Sequence, residues 1–356
     1  MRIAQVAPFL NGQGGIQTYI RQVSRALTEL GHEVEIFALG SPDESNDAAE
    51  SSLNIRWFKA EARESPLRYG GLANLDALVA ALRSFDGLVH AHQPFASTTF
   101  AAIRSRQPRV LSAHVHAPGY RGGAREFRRR IQLRLVAAQF NGIVFDSDSE
   151  RDVYSSLVGR SSMHVVARPG LSALSPTRLG SDARSEIAIV GALTAHKRPD
   201  LALRSAIEAG RGSDCRVVGQ GPMRPALASL CEEAGLITDQ VLCGSVDDAT
   251  LADLMGRSKV ILALSTEEAY GIGLADGIAA GAFPIAADIP SHREIFRMLG
   301  IPQSSLVPID ATVAAIAEKI LFVLGGTSIP PALSSAPTWE DAATALQSLY
   351  QRVTQG

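Results

Sequence analysis

An alternation of strand and helix patterns opens the chain and constrains its fold more than any other feature. A short apolar run at residues 3–7 is followed by a glycine-bearing loop. Apolar residues at helical spacing come next and stop at Gly31, and a second apolar run follows at 34–37. Two strands joined through a helix lie parallel, because such a crossover returns the chain to the same end of the sheet. The sequence therefore predicts an α/β fold with a parallel sheet.

The same alternation runs through the rest of the chain with one interruption. Further strands are predicted at residues 55–58, 87–90, 110–113, 142–145, 164–166, 187–190, 216–218, 241–242, 260–264, 283–286 and 306–307. Helices after the interruption are predicted at residues 199–209, 223–234, 249–256, 273–280 and 311–324. The interruption, residues 171–185, is serine-rich and lacks periodicity, which is typical of a linker.

We therefore expect two facing Rossmann-like parallel-sheet domains, residues 1–172 and 173–335, with ligands at the carboxyl ends of the strands. A closing helix within residues 336–356 has Thr338 as its candidate N-cap and an apolar face. This helix is expected to pack back toward the first domain.

Composition excludes several classes of protein. The formal net charge is -2, so no general affinity for nucleic acid is expected. The three cysteines, Cys215, Cys231 and Cys243, lack Cys-x-x-Cys spacing, which argues against a disulfide framework and against structural zinc. No apolar run approaches the roughly 18 residues that a membrane span needs. We expect a cytoplasmic protein.

One turn in the second half, STEEAYGIGLADGIAAGAFPIAA (residues 265–287), combines acids with glycines at the start of a helix. Gly271 and Gly273 let the backbone approach a phosphate, and free amides at a helix N-terminus favour an anion. Glu268 and Asp276 carry carboxylates, which suit vicinal hydroxyls. The turn is therefore a candidate site for an activated sugar. The alternative is a structural helix start, with Glu268 as a cap and Asp276 as a partner of the helix dipole.

The spacing from Glu268 to Asp276, followed by GIAAGAFPIAAD, resembles the E-x7-E signature of retaining glycosyltransferases of family 4, which have the GT-B fold. Other segments are similar to that family's motifs and occur in its order. They are PFLNGQGGIQTYIRQVSRALTELGHEVEIFAL, GLVHAH, RVLSAH, VVARPGL, VGALTAHKRPDLAL, VVGQGPMRPAL, CGSVDDATLADLMGRSKVILALST and TWEDAATALQSLY. The resemblance covers nearly the whole length.

The resemblance implies a metal-independent, retaining hexosyltransferase that needs no cofactor. Its donor would be a nucleotide-diphosphate sugar, such as a UDP- or GDP-sugar, and its acceptor a glycan, a lipid-linked sugar or a small molecule. Glu268, Lys197 and His114 are the implied catalytic residues. The residues implied in donor binding are Gly14, Gly15, Gly219, Gly221, Gly244, Ser245, Val246, Tyr270, Gly271, Ile272, Gly273 and Asp276.

Within that set, Glu268 would hold sugar hydroxyls, Asp276 the ribose hydroxyls, and Lys197 the diphosphate. Two positions depart from the family. Asp276 stands where the family usually has glutamate, and Ala192 stands where it usually has arginine, five residues before Lys197. The candidates to replace that lost charge are His196 and Arg198.

Four histidines occur in two pairs, His90 with His92 and His114 with His116. Residues two apart on a strand share one face, so a metal site is conceivable. No acid flanks either pair, and we expect no metal. We expect His114 to serve the sugar site, with His116 as its substitute if the strand register is shifted, and the others to be structural.

A basic segment follows these histidines. Phe127, Ile131 and Leu135 recur at helical spacing and give this segment an apolar side. We expect its arginines to contact an anionic or lipid-linked acceptor, or the inner face of the membrane. A solvated helix face is the alternative. The arginines concerned are Arg121, Arg125, Arg128, Arg129 and Arg130.

Other functions remain open on the sequence alone. A GT-B enzyme could instead hydrolyse or epimerise a nucleotide sugar, and Ala192 and Asp276 would suit a non-catalytic sensor of nucleotide sugars. A dinucleotide-dependent dehydrogenase is disfavoured, because NGQGGIQ lacks the G-x-G-x-x-G spacing.

Overall fold

The computed structural model describes residues 1–8, 10, 14–40, 52–59, 75–115, 124–158, 163–171, 184–326 and 336–355, without the side chains of 124–130 and 155–158. The chain divides into two compact units. One unit is Met1–Gly170 together with Pro337–Gly356, and the other is Leu171–Ala336. The predicted linker falls largely outside the described residues.

In the first unit the described residues form a seven-stranded parallel sheet. Its strands are β1 (Arg2–Ala7), β2 (Glu33–Leu39), β3 (Ile55–Phe58), β4 (Leu88–His92), β5 (Arg109–Ser112), β6 (Gly142–Phe145) and β7 (Met163–Val166). They lie in the order β3-β2-β1-β4-β5-β6-β7. The strand order reverses between β1 and β4, and open α/β sheets bind ligands at such a switch point. The helices between the strands are α1 (Gly15–Glu29), α2 (Leu75–Ser84), α3 (Ser97–Ile103), α4 (Ala124–Ala137) and α5 (Asp148–Val158).

The second unit repeats this plan with six parallel strands among its described residues. They are β8 (Glu186–Val190), β9 (Cys215–Val218), β10 (Leu242–Gly244), β11 (Ser258–Ala263), β12 (Phe283–Ala287) and β13 (Leu306–Val307). Their order is β10-β9-β8-β11-β12-β13, so the switch point lies between β8 and β11. The helices are α6 (Pro199–Glu208), α7 (Arg224–Glu233), α8 (Thr238–Val241), α9 (Asp248–Arg257), α10 (Ile272–Ala279), α11 (Pro290–Met298) and α12 (Val313–Gly325). The predicted fold of two Rossmann-like parallel-sheet domains is confirmed.

Each sheet is apolar on both faces, which is why its strands read as short apolar runs in the sequence. On β4, Leu88 packs into one core cluster and its neighbour Val89 into another. On β5, Val110 packs into the same cluster as Leu88, and Leu111 packs into the same cluster as Val89. Successive side chains of a strand point to opposite faces, so these two clusters lie on opposite sides of the first sheet.

Three elements differ most from the sequence prediction. Helix α8 occupies Thr238–Val241, although a strand was predicted to begin at residue 241. Strand β4 runs on to His92, two residues beyond the predicted end, because the histidines that interrupt the apolar pattern are themselves buried. Helix α11 was not predicted. Its start combines a proline in the first turn with polar residues, and its buried apolar residues, Ile295 and Phe296, come only in the second half.

The last helix, α13 (Trp339–Gln355), packs onto the first unit, as predicted. Thr338 Oγ1 accepts a hydrogen bond from the backbone N–H of Asp341 at 3.1 Å, and the Asp341 carboxylate accepts one in return from the Thr338 N–H. The predicted apolar face is buried in a core cluster that α13 shares with α1. A β-carbon on Gly170 would lie 2.2 Å from the Trp339 backbone nitrogen, so only glycine permits this approach.

Leu346→Ala is expected to lower the free energy of unfolding of the first unit by about 2–5 kcal/mol, because Leu346 is fully buried in the shared core. Both tryptophans of the chain, Trp57 and Trp339, belong to this unit. Tryptophan fluorescence during urea titration therefore reports its unfolding. The control is Leu135→Ala on α4, where the side chain is 62% exposed and the expected change is below about 0.5 kcal/mol. Equal losses from the two variants would contradict this account of α13.

Candidate functional site

A pocket with an empty volume of about 440 Å³ lies at the switch point of the second sheet. Its walls include Val190 and Ala263, the last residues of β8 and β11. The loops that follow these two strands supply most of the remaining wall, together with the start of α10. The pocket therefore occupies the crevice in which open α/β sheets bind ligands.

Glu268 and Lys197 form an ion pair in this pocket, although they are 71 positions apart in the chain. The Lys197 ammonium donates to Oε1 of Glu268, and the Ser265 hydroxyl donates to the same oxygen at 2.7 Å. The Glu268 side chain is 8% exposed and that of Lys197 is 25% exposed. A carboxylate so poorly hydrated needs compensation from nearby donors. The structure thus brings together two of the three candidate catalytic residues.

The first turn of α10 also forms part of the wall. Gly271 is its N-cap, with φ at 119°, a conformation that residues with a β-carbon rarely adopt. A β-carbon on Gly273 would lie 3.0 Å from the Val190 carbonyl oxygen. The first amides of a helix have no intrahelical acceptor, and the helix dipole adds positive potential there. This end of the pocket therefore favours an anion.

Three more residues of the E-x7-E turn, Tyr270, Ile272 and Asp276, were also assigned to the donor. Asp276 is 4% exposed within α10, and Tyr270 is 3% exposed in an apolar cluster that also holds Leu274. Among the described residues, the pocket lining does not include Asp276, Tyr270 or Ile272. The assignment of Asp276 to ribose hydroxyls stays a prediction.

Gly219 and Gly221, which were assigned to donor binding, have a structural reason to be glycine. A β-carbon on Gly219 would lie 1.9 Å from the Gly191 carbonyl oxygen, and one on Gly221 would lie 2.5 Å from the Leu193 carbonyl oxygen. The loop after β9 is therefore packed directly on the loop that follows β8 and lines the pocket. The loop after β10 joins them, since the Gly244 carbonyl accepts from the Gly219 N–H at 2.8 Å. Beyond it, Ser245 is exposed and Val246 is half-buried.

The position at which the family usually has arginine is an exposed alanine, Ala192, on the pocket wall. Arg198 does not supply the lost charge, because its guanidinium donates to the Leu264 and Ile309 carbonyls, both at 2.6 Å. Burial, and secondarily Lys197, lowers the pKa of His196, so that ring is neutral at pH 7. Lys197 is therefore the cation among the described residues that line the pocket.

His292 on α11 is a pocket residue that the sequence analysis missed. It is fully buried, and its Nδ1 lies 2.8 Å from the Ala287 carbonyl oxygen, which can only accept. Its Nε2 has no hydrogen-bond partner among the described residues. The signal that could have found it is the proline at the start of α11, which marks a helix start three residues beyond a strand.

The switch point of the first sheet holds a closed histidine cluster. His90 and His92 lie on one face of β4 as predicted, with ring centroids 4.4 Å apart, and neither side chain is exposed. His90 Nδ1 lies 2.6 Å from the Tyr350 hydroxyl of α13, and Nε2 lies 2.9 Å from the Ser112 hydroxyl. Burial, and secondarily His114, lowers the pKa of His90 to about 3. Burial likewise holds the pKa of His92 well below its ordinary value, so both rings are neutral.

His114, the third candidate catalytic residue, follows β5 with φ at 46°, a left-handed conformation that is rare for a histidine. Its Nδ1 donates to Asp146 Oδ2 at 2.7 Å, and its Nε2 lies 3.0 Å from Nδ1 of His92. Both ring nitrogens are therefore already hydrogen-bonded within the first unit. Contact between this ring and a sugar stays a prediction. His116 lies outside the described residues.

Two acids that the sequence analysis missed hold His114 in place. Asp146 and Glu150 follow β6, at the end of the strand and in the first turn of α5. The Glu150 carboxylate accepts from the backbone N–H groups of Val115 and Asp146, each at 2.5 Å. Because Asp146 binds the ring, and Glu150 binds both the amide after His114 and the amide of Asp146, the strained conformation of His114 is well supported. The sequence feature that could have identified them is the occurrence of acids directly after a predicted strand.

Gly14 and Gly15 begin α1, with Gly14 as an extended N-cap that provides no side-chain cap. The backbone N–H of Thr18 donates to the Gly14 carbonyl at 2.9 Å, and a β-carbon on Gly14 would lie 2.6 Å from the Gln17 side-chain oxygen. The Gly14 N-cap thus leaves the first amides of α1 without a side-chain cap of its own.

The basic segment forms α4, and it has two apolar faces. Leu133 and Val136 are buried in the core, whereas Ile131 and Leu135 of the predicted apolar side are exposed. Arg125, Arg128 and Arg129 belong to this helix, but their side chains lie outside the description, as does Arg121 entirely. Among the described residues, no helix is long and apolar enough to cross a bilayer. In that same part of the chain, no group of His, Cys, Asp and Glu suits a metal ion.

Comparison with known families and proteins agrees with this architecture. Residues 13–169 match the family described as Glycosyltransferase Family 4, and residues 178–332 match Glycosyl transferases group 1. A phosphatidyl-myo-inositol mannosyltransferase of Propionibacterium freudenreichii is 26% identical, over 83% of this chain and 79% of the relative. A D-inositol 3-phosphate glycosyltransferase of Kineococcus radiotolerans is also 26% identical, over 80% of this chain and 75% of the relative.

Solved structures with the same fold cover the whole chain. Sucrose-phosphate synthase from Thermosynechococcus elongatus aligns with a TM-score of 0.73 at 18% identity, over 100% of this chain and 96% of that one. Anabaena HepE in complex with UDP and glucose aligns with a TM-score of 0.69 at 16% identity, over 100% of this chain and 97% of that one. With the two family matches spanning both units, this chain belongs to glycosyltransferase family 4 and has the GT-B fold.

Proposed function

We propose that this protein transfers a sugar, with retention of configuration, from a nucleotide-diphosphate sugar to the hydroxyl of an acceptor. The observation that carries this proposal is the pocket in the second unit, where Glu268 and Lys197 lie beside the first turn of α10. A carboxylate binds sugar hydroxyls, and an ammonium and helix amides bind phosphate. Glu268 would take the sugar, while Lys197 and the amides of Ile272 and Gly273 would take the diphosphate.

The chemistry requires stabilisation of a departing diphosphate. The bond between the anomeric carbon and the phosphate oxygen breaks, so positive charge develops on the sugar and negative charge on the leaving group. Lys197 and the α10 amides are fixed donors for that charge. We propose that the acceptor attacks from the face that the phosphate leaves, and that the departing phosphate oxygen takes the acceptor's proton. This order of steps retains the configuration at the anomeric carbon. In this mechanism, Lys197 and the α10 amides provide the positive charge that stabilises the departing diphosphate.

The nucleotide is proposed to lie along the loops after β8, β9 and β10, which are joined by backbone hydrogen bonds beside the pocket. Gly219, Gly221, Gly244 and the residues after it would border the base through backbone groups. The structure of HepE named above contains UDP, and the same class of ligand is proposed here.

The acceptor is proposed to be anionic. Both curated relatives carry inositol and phosphate groups in their names, as phosphatidyl-myo-inositol or as inositol 3-phosphate. Helix α4 is rich in arginine and also exposes Ile131 and Leu135. A basic helix with exposed apolar residues binds the surface of an anionic membrane. We therefore propose that the protein acts at the inner face of the membrane on a phosphate-bearing or lipid-linked acceptor.

A second candidate function rests on Ala192. The exposed alanine leaves one fewer cation at the pocket than the family usually has, and Arg198 does not replace it. The alternative is therefore a sensor that binds nucleotide sugars without turning them over, or an enzyme that hydrolyses or epimerises them. Nucleotide release from a labelled donor, measured with and without an acceptor extract, separates these three functions from transfer.

Glu268→Gln is expected to reduce sugar transfer by about 100-fold, because a neutral amide binds hydroxyls more weakly than a carboxylate. The same change frees Lys197 from its ion pair, so the nucleoside diphosphate selected from UDP, GDP, ADP and TDP by thermal shift should bind more tightly. The control is Glu267→Gln, the same change one residue earlier at a position off the pocket wall. Equal activity of the two variants would remove Glu268 from the mechanism.

Lys197→Ala is expected to reduce kcat by about 100- to 1,000-fold while KM for the donor changes by less than about 10-fold. The reason is that the charge on the diphosphate grows as the bond breaks, so Lys197 contributes more to the transition state than to donor binding. Lys319→Ala, at a lysine of α12 that donates to backbone carbonyls, is the matched control. A loss confined to KM would show that Lys197 only binds the donor.

Replacing Arg128, Arg129 and Arg130 together by serine is expected to reduce co-sedimentation with vesicles containing anionic lipid by at least about 10-fold at low salt. Replacing three exposed arginines of the same unit, Arg2, Arg104 and Arg106, removes equal charge elsewhere and should have little effect. If the two triple variants bind the anionic vesicles equally well, α4 is a solvated surface helix and does not contact the membrane.

A further inference from the structure

His292 is a buried side chain on the pocket wall, and only one of its two ring nitrogens has a hydrogen-bond partner among the described residues. It is fully buried on α11, yet it belongs to the wall that also includes Glu268, Lys197 and Gly271. Its Nδ1 is 2.8 Å from the Ala287 carbonyl oxygen, whereas its Nε2 has no partner among the described residues. Buried polar atoms are nearly always hydrogen-bonded, so an exception facing a pocket calls for a functional explanation.

The hydrogen-bonding role of that nitrogen follows from its neighbours. A carbonyl can only accept, so Nδ1 carries the ring hydrogen. Burial lowers the pKa of His292, with smaller opposing contributions from Glu268 and the Ala287 carbonyl, and the ring is neutral at pH 7. Nε2 therefore carries a lone pair and acts as an acceptor. An acceptor repels ionised phosphate oxygens and binds a hydroxyl or another donor.

Gly271, which also lines the pocket, lies next to this acceptor. A β-carbon placed on Gly271 would lie 3.7 Å from Nε2 of His292 and 3.6 Å from its Cδ2. The φ of 119° at Gly271 keeps larger residues out of the position. Glu268, the other acceptor on this wall, faces the same pocket. Two acceptors at one end of a pocket require a ligand that presents several donors, and a sugar is such a ligand.

We propose that Nε2 of His292 accepts a hydrogen bond from one hydroxyl of the donor sugar and so selects sugars that carry a free hydroxyl at that position. This inference rests on the proposed function and adds a residue that determines donor specificity. Because Nε2 is buried in this structure, the sugar hydroxyl would have to reach it through a small displacement of the turn of residues 268–271.

The test compares nucleotide sugars with their nucleoside diphosphates. The probes are UDP-glucose, UDP-N-acetylglucosamine and GDP-mannose, followed by deoxyfluoro analogues of the one that the wild type binds most tightly. Fluorine cannot donate a hydrogen bond, so each analogue removes one donor. Dissociation constants are measured by isothermal titration calorimetry for the wild type and for His292→Asn. Asparagine can still donate to the Ala287 carbonyl, but it places no acceptor at the position of Nε2.

The wild type is expected to lose about 10-fold in affinity for one deoxyfluoro analogue. His292→Asn should lose about 10-fold for the parent sugar, lose nothing further for that analogue, and bind the nucleoside diphosphate as the wild type does. A merely structural role would weaken binding of all three ligands together. His164→Asn, at an exposed histidine on β7 of the first unit, should behave as the wild type.

Other outcomes separate this inference from the proposed function. If His292→Asn binds the parent sugar as tightly as the wild type, or loses affinity for the same analogue to the same extent, the inference is overturned and the proposed function stands. A wild type that binds nucleoside diphosphates but distinguishes none of the analogues has the same consequence. A wild type that binds no nucleotide or nucleotide sugar overturns both.

If the asparagine variant does not fold, His292→Gln provides the second test. Glutamine can place its amide oxygen near the position of Nε2, so sensitivity to the same analogue should persist. A folded glutamine variant that has lost affinity for the parent sugar and for the nucleoside diphosphate equally would also overturn the inference.

Discussion

The ion pair between Lys197 and Glu268 is the interaction on which the candidate site depends. It joins the loop after β8 to the loop after β11, the two strands that flank the switch point of the second sheet. The buried carboxylate is stabilised by the Lys197 ammonium and by the Ser265 hydroxyl, which both donate to it. In the proposed function, the same carboxylate binds hydroxyls of the sugar and the same ammonium binds a phosphate. The pair therefore stabilises the empty pocket with the same groups that would bind the ligand.

The two units use one architecture for two different purposes. In the second, the described residues at the switch point form a pocket lined by the acceptors Glu268 and His292, the cation Lys197 and the start of α10. In the first, the equivalent position is filled by His90, His92 and His114, whose nitrogens bind one another and their neighbours. Asp146, which follows β6, and Glu150 on α5 hold His114 in its left-handed conformation. The first site is thus filled by side chains of the protein, whereas the second is a pocket.

The strands were predictable from sequence because a buried parallel sheet turns each strand into a short apolar run between turn residues. Helix α11 was not, because its first turn is polar and its apolar residues form less than two turns. The Glu268 turn could be recognised from its residues, and the family resemblance assigned Lys197 to the same ligand. Their direct pairing, and the place of His292 beside them, depend on contacts between loops far apart in sequence. The apolar side predicted for α4 corresponds to its exposed face, because spacing alone does not say which of two apolar faces meets the core.

The position of α13 has a consequence for synthesis of the chain. The core of the first unit is completed by the last 17-residue helix, and the Tyr350 hydroxyl that contacts His90 is encoded 260 positions after it. The ribosome therefore synthesises the whole second unit before it synthesises the helix that completes the core of the first unit. During translation the nascent first sheet presents the apolar face that α13 later covers, and such surfaces bind chaperones or aggregate. In such a chain, the second half is synthesised before the first half can complete its core.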